Sequence, residues 1–131
     1  MKKPESRGQS ILEFALTLPI FLAIVVGVVD VGHAVVARSL LANCAREGAR
    51  SAIFPQTADA TVISAVNSQT LFLGTIPSSD ISISPTTTSA RVSGTTVTVT
   101  VTYQFHPITP LAREAMGSIL TMTSNSTMAI E

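Results

Sequence analysis

From Phe14 to Val29 the chain runs sixteen residues without a charge, and Ile11 and Leu12 extend the apolar stretch to nineteen positions broken by one carboxylate, Glu13. A helix rising about 1.5 Å per residue needs about 20 residues to cross roughly 30 Å of hydrocarbon. The pattern therefore predicts a membrane-spanning helix over about 11–29. Past Val29 the spacing turns amphipathic. Ala34, Ala37, Leu41, Ala45, Gly48, Ala49 and Ala52 recur at three- and four-residue steps, while Arg38, Arg46 and Arg50 fall on other faces. No helix breaker follows until Pro55, so a single helix is expected over about residues 10–53, with 30–54 as an outer spine. Pro19 lies inside the apolar run and predicts a kink.

Beyond Pro55 a shorter helix is expected, capped by Thr57 or Asp59, with Val62, Ala65, Val66, Phe72 and Leu73 on one side and Gly74 and Pro77 closing it. Ile81 and Ile83 alternate with serines as a strand. Ala90 to Val92 reads as another, with Ser93 and Gly94 as a hairpin turn. Val97, Val99, Val101, Tyr103 and Phe105 alternate with Thr98, Thr100, Thr102 and Gln104, a two-residue period that puts one row on helices and the other toward water or a partner. Pro107 stops that strand, residues 111–117 form a helical turn after Pro110, and 120–130 alternate as a final strand. The fold class expected is α+β: a long membrane-spanning helix continuing into a small outer domain, residues 55–131, in which an antiparallel sheet of three or four strands packs on helices.

Charge and composition narrow the function. Eight basic residues balance eight acidic ones and only six of 131 residues are aromatic, which argues against a nucleic-acid surface. Lys2, Lys3 and Arg7 precede the apolar run against Glu5 alone, an excess that sets the chain N-in and C-out. Cys44 is the single cysteine, too few for a disulfide within the chain or a thiolate zinc site; it reads as a small packing residue, and if exposed it can cross-link two chains. Asp30 and His33, three residues apart, are at most half of a metal site. His106 lies in a loop beside Pro107, and a catalytic reading needs it to share a cleft with Arg113 and Glu114. No phosphate loop or nucleophile elbow is present, so no enzyme, cofactor or small-molecule substrate is expected.

Gly8 stands directly before the helix with no side chain to obstruct a protease, and Glu13 follows five residues later. The basic lead, Gly8, Gln9 and Glu13 resemble a type IV prepilin leader. The resemblance implies that residues 1–8 are a leader, cut by a membrane-embedded prepilin peptidase between Gly8 and Gln9, with the helix over 9–54 retained. A cut there leaves an α-amino group on Gln9 one turn before Glu13, a partner within the chain or on a neighbouring subunit for a carboxylate that is costly inside a bilayer. The plainer reading is that Glu13 snorkels to the headgroups.

Farther along the same helix, Ala45, Arg46, Glu47, Gly48, Ala49 and Arg50 extend the likeness. With Glu13, Phe14, Ala15, Leu16 and Pro19 they resemble the TadE-like family of minor pseudopilins of the tight-adherence system that assembles Flp pili. That resemblance implies a small, non-enzymatic, single-pass protein of the bacterial cytoplasmic (inner) membrane, working with prepilin peptidase, other pilin or pseudopilin subunits and the assembly platform, and in some cases entering a surface pilus. The small residues suit close packing. Arg46, Glu47 and Arg50 read either as a solvated face, with Glu47 and Arg50 paired, or as contacts to another subunit. The alternative function is an uncleaved, signal-anchored envelope protein that binds a ligand or partner through its threonine-rich sheet.

Overall fold

The computed structural model describes residues 7–131; the expected leader residues Lys2, Lys3 and Glu5 lie outside the described residues. Helix α1, Arg7–Ser51, is a single 45-residue helix, about 68 Å long at 1.5 Å per residue. It continues unbroken through Pro19. Up to Val29 its apolar side chains point outward all round, and from Asp30 onward one stripe is buried: Asp30, Ala37, Leu41, Cys44, Ala45, Ala49 and Ala52. That change from all-round exposure to a single buried stripe divides lipid-compatible surface from protein core.

Everything else packs on the stripe. Helix α2 is Asp59–Asn67, strand β1 Ile81–Ser84, β2 Thr96–Phe105, helix α3 Pro110–Met116 and β3 Leu120–Ala129. The strands form one antiparallel sheet of order β1-β2-β3. β2 and β3 pair along their full ten residues from Thr96 opposite Ala129 to Phe105 opposite Leu120, while β1 covers only Thr98 to Val101 of β2. Val97, Val99 and Val101 are fully buried with Ile81, Ile83 and the α1 stripe. The outward row is polar and uncharged: Thr98, Thr100, Thr102 and Gln104 stand opposite Thr127, Asn125, Thr123 and Thr121. The Thr98 and Thr127 hydroxyls hydrogen-bond across the strands at 2.8 Å.

The helix reaches the sheet because its contact residues are small. A Cβ placed on Gly48 would sit 2.7 Å from Val66 Cγ2 and 3.0 Å from Val99 Cγ1, so α2 and β2 both close on the same bare backbone. The methyls it would strike belong to β-branched side chains with few alternative rotamers.

Three local expectations are corrected. Helix α2 ends at Asn67, and Phe72 is 84% exposed rather than part of its buried side. Asn67 is the reason: its side-chain oxygen accepts from the Ile76 amide at 2.8 Å and its nitrogen donates to the Ile63 and Ile76 carbonyls, pinning the returning chain where the helix stops. Its N-cap is Ala58, without a side-chain cap, while the Thr57 hydroxyl turns back to the Phe54 carbonyl. Ala90 to Val92 is not a strand; a short 3-10 turn, Thr88–Ala90, precedes a fully buried Arg91. The Ser93–Gly94 turn exists, with Gly94 at φ 84°, but it brings the chain into β2 from a loop rather than from a strand.

Arg91 holds two loops together. Its guanidinium donates to the Pro85 carbonyl at 3.0 Å and the Thr57 carbonyl at 3.1 Å, and meets the Asp59 carboxylate at 2.6 Å. Hydrogen bonds to a charged group are stronger than neutral ones, and a buried carbonyl left unmatched is penalised. Arg91→Met is expected to lower stability by about 2–4 kcal/mol. Gly48→Leu should cost about 3 kcal/mol through overpacking, whereas Gly32→Ala, which meets open space, should be neutral or slightly stabilising. Pulse proteolysis of the full chain in detergent measures all three.

Candidate functional site

The sequence-predicted residues lie at two places on α1. Gly8, Gln9 and Glu13 are within its first two turns, all exposed, and among the described residues a Cβ on Gly8 would meet nothing within 4 Å. Open space around Gly8 is compatible with a protease reaching the Gly8–Gln9 bond. Gln9 and Glu13 are one helical turn apart on one face. The Thr17 hydroxyl donates to the Glu13 backbone carbonyl at 2.8 Å, a local bond that leaves the carboxylate outward.

At the other end of α1, Glu47 and Arg50 pair through two hydrogen bonds, Arg50 Nη2 to Glu47 Oε1 at 2.6 Å and Nε to Oε2 at 3.0 Å. The Arg50 hydrogen bond and charge hold the Glu47 carboxyl below its usual range and raise the Arg50 guanidinium above its own. Arg46 is exposed on the neighbouring face. Cys44, one turn below, has no exposed surface, and burial pushes its thiol upward from the ordinary cysteine value. A thiol so placed is a packing group in this conformation, out of reach of a second chain.

The role that sequence reasoning missed is that of Asp30, weighed there only with His33 as half of a metal site. Asp30 opens the buried stripe, 1% exposed, and holds the far loop against α1. Its Oδ1 accepts from the Ile108 amide at 3.1 Å and its Oδ2 from the Thr109 amide at 3.2 Å, with the Thr109 hydroxyl also donating to Oδ2. The Thr109 oxygen in turn accepts from the Ala112 amide at 3.2 Å, so it caps α3, where Pro110 fills the first turn. The signals for this clamp were present: a Thr-Pro pair typical of a helix start, and a carboxylate in phase with Ala34 and Ala37. Nothing in the local spacing tied that carboxylate to residues 108–109.

His33 and His106 line one apolar cleft with Leu40, Phe72, Tyr103 and Phe105. Arg113 and Glu114 do not line it; the Arg113 Nε instead donates to the Pro107 carbonyl at 2.8 Å. Among the described residues no group of three or more His, Cys, Asp or Glu side chains is placed to hold a metal ion.

The long helix, with Gly8 and Glu13 in its first turns and the small-residue stripe near its end, is the feature by which the chain can be compared with others. Residues 8–50 match the family model described as TadE-like protein. The TadE-like segment is nearly the whole of α1 and contains Gly8, Gln9, Glu13, Arg46, Glu47 and Arg50. It points to a component associated with the Tad pilus. No curated protein and no solved structure matches the chain. The outer sheet domain therefore stands on its own geometry.

Replacing Asp30 by Ala removes the acceptor for two backbone amides. Hydrogen exchange at Ile108 and Thr109 should then be at least about tenfold faster, as expected when a local clamp opens, with exchange across β2 and β3 little changed.

Proposed function

We propose that the chain is a minor pseudopilin of the tight-adherence system: a structural component rather than an enzyme, inserted N-in and C-out in the bacterial inner membrane. In this reading prepilin peptidase cuts between Gly8 and Gln9, and the apolar half of α1 assembles with other pilin or pseudopilin subunits and the platform. The observation that carries it is the TadE-like match over residues 8–50, on a helix whose apolar first half is unburied and long enough to cross a membrane. Such a helix surface needs lipid or neighbouring helices around it.

Glu13 has a specific role here. A carboxylate on a helix face destined for hydrocarbon is stabilised by an amino group one turn away, and the α-amino group of a processed Gln9 supplies that charge within the chain or from the next subunit. The pair then fixes the axial register of neighbouring helices. Arg46, Glu47 and Arg50, exposed or half-exposed above the bilayer, are the corresponding subunit contacts of the outer spine.

A second reading is favoured by the sheet. Its outward row is threonine, asparagine and glutamine without charge, and β3 is a ten-residue edge lacking charged residues and proline. That surface suits an envelope partner of an uncleaved anchor.

Gly8→Phe should leave the leader attached in most chains, seen as an unshifted band beside the processed wild type. Glu13→Ala should insert and be cleaved normally yet reduce piliation at least about tenfold, the scale of losing one buried charge pair. Normal piliation by Glu13→Ala chains would remove the registry role.

A further inference from the structure

The Asp30 clamp has a geometric consequence. It holds Thr109 and Pro110 at the level where the apolar run of α1 ends, and α3 then forms one wall of a groove whose other wall is α1 below Asp30. Pro110 and Ala112 face Ala23, Val26 and Gly27 across it. Ala23 lies seven residues, about 10 Å, below Asp30 along the helix. A chain that uses residues 11–29 to cross a bilayer therefore brings this wall of its outer domain to the membrane.

We propose that residues 108–119 are a second membrane contact, an interfacial segment resting in the headgroup region of the outer leaflet beside the spanning helix. Its surface has the chemistry that position demands. Ile119 is 49% exposed just past α3, and Ile108, 61% exposed, stands just before it at the rim of the cleft lined by His33, Val36 and Leu40. Arg113 and Glu114, also exposed, set the depth: charges are tolerated among headgroups and strongly disfavoured in the acyl region, while the aliphatic part of an arginine can lie along apolar surface. In the inserted chain before any assembly the occupant is lipid, because the groove is continuous with the unburied apolar face of α1 that the spanning reading places in the bilayer. The inference rests on α1 spanning the membrane and is independent of leader cleavage. Its effect is to fix the outer domain's tilt, since a helix anchor alone leaves rotation about its base free.

The chain contains no tryptophan, so single reporters can be introduced into the full-length protein. Ile108→Trp and Ile119→Trp replace exposed apolar residues. Thr127→Trp, on the outward sheet row, reports the aqueous side, and Ile20→Trp reports the span. Each chain is reconstituted in phosphatidylcholine vesicles containing lipid brominated near the carbonyl end of the acyl chain, and quenching is compared with that by iodide. The expected result is at least about twofold quenching by bromolipid and little by iodide for Ile108→Trp and Ile119→Trp, with the reverse for Thr127→Trp. Iodide quenching of the first two to the level of Thr127→Trp would overturn the proposal, as would shielding from both quenchers, which would mean that protein covers the segment. If Ile20→Trp is quenched by bromolipid and these two are not, the span stands and the second contact falls. Ile20→Trp, at mid-span, is read with lipid brominated at the methyl end of the acyl chain; if it is not quenched there either, the span fails as well.

Discussion

The outer domain has no core independent of α1. Val62 and Val66 of α2, the valine row of β2 and the isoleucines of β1 are buried against one stripe of a helix whose other half is apolar on every side. One continuous helix thus meets two solvents, and the stripe must be narrow in volume as well as apolar. Alanine, cysteine and glycine occupy it almost throughout, and at Gly48 a methyl group is already too much. A rigid coupling follows: any force applied to the spanning half is carried without a hinge into the sheet, because α1 is itself the floor of the core.

The domain is fastened to this floor at both ends. Near the membrane Asp30 holds the loop before α3. Far from it the Glu131 amide donates to the Ile53 carbonyl at 3.1 Å, just past the end of α1. At that same far end Arg91 joins the loop after α1 to the loop between β1 and β2. A structural subunit benefits from such fastening, since a surface presented at a fixed angle to the helix axis can be matched by neighbours on a repeating assembly.

Much of this was legible in the residue pattern. The spine of the long helix with its buried stripe, β2 and β3 each rest on a period of 3.6 or 2, which reports the covered face, while the membrane half was read from the length of its apolar run and α3 from Pro110. What was not legible depended on single polar side chains reaching distant backbone. Asn67 ends α2 by bonding to Ile76, nine residues on, where the apolar spacing through Phe72 suggested that the helix continued. Arg91 sits between two apolar residues and so resembled the outward position of a strand, yet it is buried because Thr57 and Asp59 come to it from more than thirty residues away. Asp30 belonged to the same class. Of the processing and registry residues, the pattern put Gly8 directly before the helix and Glu13 inside it, whereas α1 starts at Arg7 and holds Gly8, Gln9 and Glu13 in its first turns; the partner proposed for Glu13 belongs to an assembly, not to a single chain.

The central claim is that this helix is a pilin-type anchor, retained after loss of a short leader. The intact mass of the protein purified from membranes of its native host tests that most directly. The account predicts a chain lacking residues 1–8 and beginning at Gln9. A full-length mass would contradict it and would make the protein an uncleaved anchor whose sheet face, rather than its helix, carries the interaction.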